Sequence, residues 1–495
     1  MRLNNLKLKG VSKGHAPFIA CCVILLAGCT VGPDFQRPLP PDVDTYVAGS
    51  IPAENAPTSA PMGDAQNITE KGRIPNDWWT KLGSTKLNAL IDEALNKNPT
   101  LHAAEATLRQ AREIYTARSG ATRYPQVDGN LSAQRQRFNP AATGQSDGAR
   151  EFSLYNAGIG VRYTFDLAGG NRRALESLAA GSDYQLCQLQ GARLTLTARI
   201  ITTAVTQGAL SMQMETLKKI LASQEAQLEL TRERIRLGQA EPDDASALQT
   251  QLEQTRAAMP LLRLQLQQTE HLLAVLAGRA PGAGNSPSFS LEDFILPPDL
   301  PKLVPSELVR ARPDILGAEA LMHAANAEYG VAVSRLYPQL NLSADIGSQA
   351  LTTGALFGSG SAAWSMVSQL TQPLFNPGLP AEKRAALAAF DAAAANYQAV
   401  VLESLRNVAD VLRAVENDAE RLAALSAADA ASQHLLNSME HRYALGAAGY
   451  YDLLIAQEHS QQTRLALIDA QARRLINSVS FYQAMGGGFF MGNAP

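Results

Sequence analysis

The chain has 495 residues, of which 18% are charged and 6% aromatic, enough for several ordinary domains or one extended one. Residues 1–28 hold four basic side chains (Arg2, Lys7, Lys9, Lys13) and no acid, so the rest carries 39 basic against 46 acidic residues, a net of −7. That balance excludes a nucleic-acid partner, which needs a surplus of basic groups, and the alanine-, leucine- and glutamine-rich middle favours long helices over a compact α/β enzyme.

A basic stretch ending at Lys13 is followed by an apolar run from Phe18 to Ala27. The run is too short to span a bilayer and has the layout of a cleaved leader, residues 1–28. It closes in Leu26-Ala27-Gly28-Cys29, similar to the lipobox of bacterial lipoproteins, in which the cysteine is acylated. Covalent lipid on Cys29 is therefore expected, and several acyl chains on one residue anchor stably because each buried CH₂ contributes about 0.8 kcal/mol. With Cys21 and Cys22 removed and Cys29 acylated, Cys187 alone remains, so no intrachain disulfide is expected. Its place in a predicted helix makes it a buried small residue.

The body is written twice. Asn98-Pro99-Thr100-Leu101 begins one copy and Arg312-Pro313-Asp314-Ile315 the other; Tyr-Pro-Gln recurs at 124–126 and 337–339. Arg234-Ile235-Arg236-Leu237-Gly238 corresponds to Arg442-Tyr443-Ala444-Leu445-Gly446, with an aspartate six residues on in each case, Asp244 and Asp452. Each copy reads as a helix ending at Tyr-Pro-Gln, two strands, a very long helix, a glycine turn and a returning helix. The long helices are predicted over 172–237 and 380–445, about 100 Å each at 1.5 Å per residue. In the second, Leu387, Ala394, Val401, Val408, Val415, Leu422, Leu436 and Tyr443 fall at intervals of seven, broken by Asp429. A dimeric coiled coil is one reading; the alanines and the polar Ser404, Asp418 and Ser432 suit a wall wetted on one side better. Pro260 should kink the first returning helix or interrupt its bonding near Arg256.

The strands decide the class. Tyr155, Ala157, Ile159, Val161, Tyr163 and Phe165 alternate with Asn156, Gly158, Gly160, Arg162 and Thr164. The segments at 127–134, 340–347 and 364–371 alternate likewise, with Val367 breaking the polar side. Alternation alone fits a soluble sheet or a membrane barrel. The lipid signal, together with the lack of a mature segment apolar enough for a spanning helix, favours a closed barrel. Its polar face (Asp128, Asn130, Arg162, Asn341, Asp345, Gln369) would line the lumen, and Tyr155, Tyr163 and Trp364 would form an aromatic girdle. Four strands cannot close alone, since known barrels begin at eight, so several chains must share one wall. The loops 139–150 and 350–360 would face outside.

The ordered set Gly28-Cys29-Thr30-Val31-Gly32-Pro33-Asp34-Phe35-Gln36-Arg37-Pro38, Trp78-Trp79, Asn98-Pro99, Arg312-Pro313-Asp314, the two Tyr-Pro-Gln motifs, Gln372-Pro373-Leu374-Phe375-Asn376 and Gly486-Gly487-Gly488 resembles the TolC-type outer-membrane efflux family, in its lipoprotein (NodT/OprM-like) branch. The resemblance covers nearly the whole mature chain. It implies a mixed, mainly α fold: a homotrimer whose twelve-stranded transmembrane β-barrel, four strands per chain, is continuous with a long periplasmic α-helical barrel and carries a mixed equatorial belt. It divides the chain into a lipidated arm and first equatorial helix (29–97), repeat 1 (98–277), an equatorial inter-repeat segment (278–311), repeat 2 (312–485) and a C-terminal tail (486–495). The proline-rich stretch 31–75 should lie extended over the body.

The same resemblance implies a passive outer-membrane channel for drugs or other toxic small molecules, served by a periplasmic adaptor (membrane fusion) protein and an inner-membrane transporter of RND or similar type. The tips around Arg234, Leu237, Gly238, Arg442, Leu445 and Gly446 would dock the adaptor; simple helix capping by the two glycines is the plainer alternative. Asp452 matches a family aspartate at the inner constriction, where three copies would form an acidic ring; it could instead cap its helix. Tyr451 could plug the opening, and Glu458 could substitute for a second family aspartate that is Ile455 here.

No catalytic or metal-ligating spacing stands out, and there is no phosphate loop or nucleophile elbow, so neither enzyme activity nor a cofactor beyond the lipid on Cys29 is expected. A pore-less structural lipoprotein spanning the periplasm is the rival from another class; it has no need of four amphipathic strands. A duct for metal ions or secreted protein is another, for which the scattered Met212, Met214 and Met259 are weak support.

Overall fold

The two halves of the chain fold into the same series of elements, and their long helical hairpins match in length. The structure is a computed structural model and describes residues 30–69, 74–139, 149–284 and 287–489. The leader, Cys29 and most of the loop 139–150 lie outside the described residues. The elements are β1 (Asn67–Thr69), α1 (Thr85–Lys97), α2 (Pro99–Arg123), β2 (Gln126–Phe138), β3 (Arg150–Phe165), α3 (Gly170–Arg236), α4 (Pro242–Leu276), β4 (Asp299–Pro301), α5 (Pro305–Leu308), α6 (Pro313–Ser334), β5 (Gln339–Ala350), β6 (Ala362–Thr371), α7 (Gly378–Ala444) and α8 (Tyr450–Ala484). The long helices α3 and α7 each have 67 residues and the returning helices α4 and α8 each have 35.

The chain divides into two units. The first comprises the described residues up to Arg37 with Arg109–Asp183 and Ala320–Ala395. It holds one four-stranded antiparallel sheet in the order β2-β3-β5-β6. Tyr-Pro-Gln ends the preceding helix in both repeats because proline cannot continue a helix and biases the residue before it toward extended backbone.

The second unit comprises Pro38–Leu108, Tyr184–Glu319 and the chain from Asn396. Its core gathers Trp78, Leu82, Leu87, Ile91, Ile200, Ile201, Val408, Leu412, Leu475 and Phe481. Trp78 stacks on Tyr482 with ring centres 5.1 Å apart. The arm enters as β1, paired in parallel with β4, and is otherwise irregular over 38–66. Buried Arg474 holds it by donating to the carbonyls of Met62 and Asp64, 2.7 Å each. At the chain's end Gly486 and Gly488 take φ of 86° and 84°; a Cβ would lie 2.5 Å from the Ala311 carbonyl oxygen and 2.7 Å from that of Ile74, so only glycine fits.

The seven-residue stripe of α7 is its buried side from Val401 to Leu422, and Asp429 stays in the stripe, paired with Arg464 at 3.2 Å. The polar positions correct an expectation. Ser404 and Ser432 do not face water: both are buried, Ser404 bonding Asp314 at 3.4 Å and Ser432 bonding Thr463 at 2.7 Å. Buried hydroxyls are tolerated because each finds a partner across the helix contact. A second expectation also fails: by length and composition α7 contains a stretch apolar enough to cross a membrane. Its many alanines produce that apolarity, so the case for a barrel rests on the sheet alone. Helix α4 runs on through Pro260, whose missing N–H leaves the Arg256 carbonyl without its usual donor.

Candidate functional site: the sheet wall and the hairpin tips

Register in the sheet sorts the side chains into two faces. One row across it is Val127, Val161, Ala344 and Met366, and the next of the same face is Gly129, Ile159, Ile346 and Trp364. The larger side chains of this face are mostly exposed: Leu131 and Trp364 are each 80% exposed and Ile346 67%. Trp364 shares its row with Ile159, four residues from Tyr155, so the expected girdle residues do not form one line.

All six side chains expected in the lumen fall on the other face. Asp128, Gly160, Asp345 and Ser365 form one row. Arg162 pairs with Asp128 at 3.2 Å, and Thr164 donates to Asn341 at 2.7 Å, with Gln369 opposite Asn341. Asn130 stands across from Gly158. β2 and β6 are the edge strands, each with its outer side unpaired among the described residues. An apolar face with no core and two open ladders is a wall awaiting lipid and further strands.

The tips are built by matched caps. Gly238 and Gly446 have φ of 67° and 71°, with Gln239 N–H donating to the Arg234 carbonyl and Ala447 N–H to that of Arg442, both at 2.8 Å. This is the six-to-one closure that glycine permits after a helix. Leu237 and Leu445 are exposed beside them. Arg234 is engaged within the chain: its guanidinium lies 4.9 Å from the Tyr443 ring centre and donates to the Ala444 carbonyl at 3.4 Å. Arg442 donates to its own turn at Ala447, 3.4 Å. Beneath lies a small core of Leu228, Leu248, Leu252, Tyr443, Tyr450 and Leu453. Burial pushes the Tyr450 phenol up, with nearby Tyr443 and Asp244 adding to the effect.

Asp452 accepts from the Gly449 N–H at 3.2 Å, the third-position half of a capping box. Tyr451 is 71% exposed, while its neighbour Tyr450 is buried. Glu458 is exposed and accepts from Gln462 at 3.1 Å.

Sequence reasoning missed the hub in the first unit. Arg173, only 4% exposed, donates to the carbonyls of Val31 and Gly32 and pairs with Asp34 and Glu176 at 2.7 Å each. Glu176 also meets His323 at 2.8 Å, and His323 stacks on Phe35 with ring centres 4.3 Å apart. Burial would raise the Glu176 carboxyl, but the bonds from Arg173 and His323 outweigh it and hold it below its ordinary range. Nothing in the sequence separates Arg173 from Arg172 beside it.

A family model described as outer membrane efflux protein matches residues 90–279 and 304–487. The toluene efflux pump outer membrane protein TtgC of Pseudomonas putida is 29% identical over 478 residues, covering 95% of each chain. The cation efflux system protein CusC of Escherichia coli is 26% identical over 474 residues, covering 94% of this chain and 98% of its own. Among solved structures, that of the outer-membrane channel OprN superposes with a TM-score of 0.82 at 27% identity, over 93% of this chain and 99% of the other. The fold is thus mainly α with a β-barrel wall, four strands from each of three chains making twelve, as in trimeric outer-membrane efflux channels. It is an outer-membrane channel component of an efflux pump. The chain belongs to the outer membrane efflux protein family.

Proposed function

We propose that the channel passively conducts toxic small organic molecules, such as drugs or solvents, received from an inner-membrane transporter of RND or similar type through a periplasmic adaptor, and performs no chemistry on them. The observation that carries this is the four-stranded sheet with one polar face and two open edges. Assembled three-fold, its Asp128, Asn130, Arg162, Asn341, Asp345 and Gln369 would line a water-filled lumen without a selective pocket. The lipid on Cys29 would hold the arm in the outer membrane. The tips at Leu237 and Leu445 would meet the adaptor, and Asp452 with Tyr451 and Glu458 would narrow the opening.

A second reading, export of metal cations, is favoured by the comparable likeness to CusC. Against it, Met214 and Met259 pack together with Leu217 in a hydrophobic cluster, and Met212 packs against the main core. That burial fits core packing better than metal-lining positions. Planar-bilayer conductance of the purified trimer tests the duct. A deletion strain challenged with antibiotics, dyes, solvents, and silver or copper salts tests the cargo. Hypersensitivity to organic compounds with unchanged metal tolerance is expected; the opposite pattern would favour cations.

A further inference from the structure

The apolar face of the sheet ends abruptly in charge. On β3 it runs through Phe165, Tyr163, Val161, Ile159, Ala157 and Tyr155. Those ten residue steps cover about 33 Å along the strand, or about 25 Å along the membrane normal at a tilt near 40°, the height of a barrel's apolar band. The next two rows of the same face are Arg135 opposite Ser153 and Arg137 opposite Glu151. They lie about 5 and 10 Å farther along the normal, where the polar head-group layer of one leaflet is about 5–8 Å thick. Strand β5 ends opposite Tyr155, so these rows sit on a two-stranded ribbon that projects past the sheet.

Arg135 and Arg137 are 77% and 70% exposed. Glu151 reaches both, at 3.2 Å to Arg135 Nη2 and 3.9 Å to Arg137 Nη1. One carboxylate against two guanidinium groups leaves this row positive and fixes both forks on the same side. Guanidinium forks match phosphate geometry in two-point contacts.

We propose that Arg135 and Arg137, oriented by Glu151, bind the phosphate of a phosphorylated lipid head group in the outer leaflet. The assignment rests on the apolar face meeting lipid. It follows from the continuity of that face with the charged rows and from their excess positive charge. Three such sites would ring the barrel and set its depth in the membrane.

The test uses the full-length trimer purified in detergent. Retention of added diphosphorylated lipid A is read by native mass spectrometry, with dephosphorylated lipid A and inorganic phosphate as parallel probes. The expected result is retention of the diphosphorylated form, at least tenfold weaker in the R135A/R137A double variant. R135K/R137K should fall between, because lysine keeps the charge but not the fork. The E151Q variant, which loses the carboxylate that orients both arginines, should retain the lipid more weakly than wild type, and R263A, on α4, should behave as wild type. Equal retention of the dephosphorylated lipid, no loss in the double variant, or full competition by inorganic phosphate would each overturn the proposal. A fluorophore on Ile159→Cys, read for quenching by brominated acyl chains, reports separately whether the apolar face meets lipid. Quenching with no phosphate preference would sink the head-group site alone; no quenching would sink the underlying face assignment.

Discussion

The guanidinium of Arg234, four residues before one hairpin glycine, lies over the ring of Tyr443, three residues before the other, at 4.9 Å. Residues at corresponding ends of the two repeats thus hold each other instead of pointing outward alike. Thr231 adds a hydroxyl contact to Tyr443 at 3.5 Å. Duplication made the tips similar, and this cross-contact makes them unequal.

Loosening that contact should loosen the tips. Cation–π pairs at exposed sites are worth about 0.5–1 kcal/mol. We predict that Arg234→Ala and Tyr443→Leu each raise resting conductance in planar bilayers. Tyr443→Phe keeps the ring and should stay close to wild type. A double-mutant cycle read by conductance should give a coupling of about 0.5–1 kcal/mol; strict additivity would mean the two residues act separately.

Asp452 can be a cap, a ring charge or both, and two substitutions separate these. Asp452→Asn retains an oxygen for the Gly449 N–H but removes the charge. If three copies form an acidic ring, Asp452→Asn alone lowers cation preference. If Asp452 is only a cap, Asp452→Asn is silent while Asp452→Ala loosens the start of α8 by leaving the Gly449 N–H without its acceptor. Reversal potentials in asymmetric salt distinguish the outcomes.

Acid should weaken the second unit through one ion pair. The bond from Arg279 holds the Glu93 carboxyl down at about 2 from its ordinary 4.5. Because the folded value is depressed, the pair's contribution is complete above about pH 4.5 and disappears as pH falls toward 2. The thermal midpoint of Glu93→Gln should lie below wild type from pH 5 upward and converge with it near pH 2. A gap that does not narrow on acidification would contradict the assignment.

Arg173 should fix the first residues after Cys29. Arg173→Met removes donors from two arm carbonyls and a partner from Glu176. Stranding a buried charge costs about 3–5 kcal/mol; the cost here is smaller, because Asp34 is exposed and Glu176 keeps His323. Limited proteolysis should cut the arm near Asp34 sooner in this variant, while cleavage elsewhere is unchanged. Resistance equal to wild type would show that Asn326, which donates to the Pro33 carbonyl at 3.0 Å, suffices.

The lipid assignment has its own test. Cys29→Ala should abolish metabolic palmitate labelling and leave the protein soluble or mislocalised. Labelling that persists in the variant would place the acyl chain elsewhere.

The repeat, the helix lengths and the alternation of the strands were all legible because each is periodic. Spacings of two and seven report which side of an element is apolar without any neighbour being known. Gly238 and Gly446 were legible for a related reason, since a left-handed residue after a helix is nearly always glycine. Arg173 and Arg474 were not legible: both donate to backbone carbonyls, which any sequence supplies. Ser404 and Ser432 misled for the opposite reason. Polarity on a helix stripe suggests water until the partner side chains are seen, and here they are Asp314 and Thr463.

Local order therefore determined the elements, their doubling, and the division of each strand into an oily and a wet side, because those depend on the covalent sequence and its pitch alone. Tertiary structure decided which polar groups are buried with partners, which arginine grips the arm, and how the hairpins lock across Arg234 and Tyr443. The arm and hairpin contacts join residues more than a hundred positions apart in the chain, and only folding brings their atoms within bonding distance.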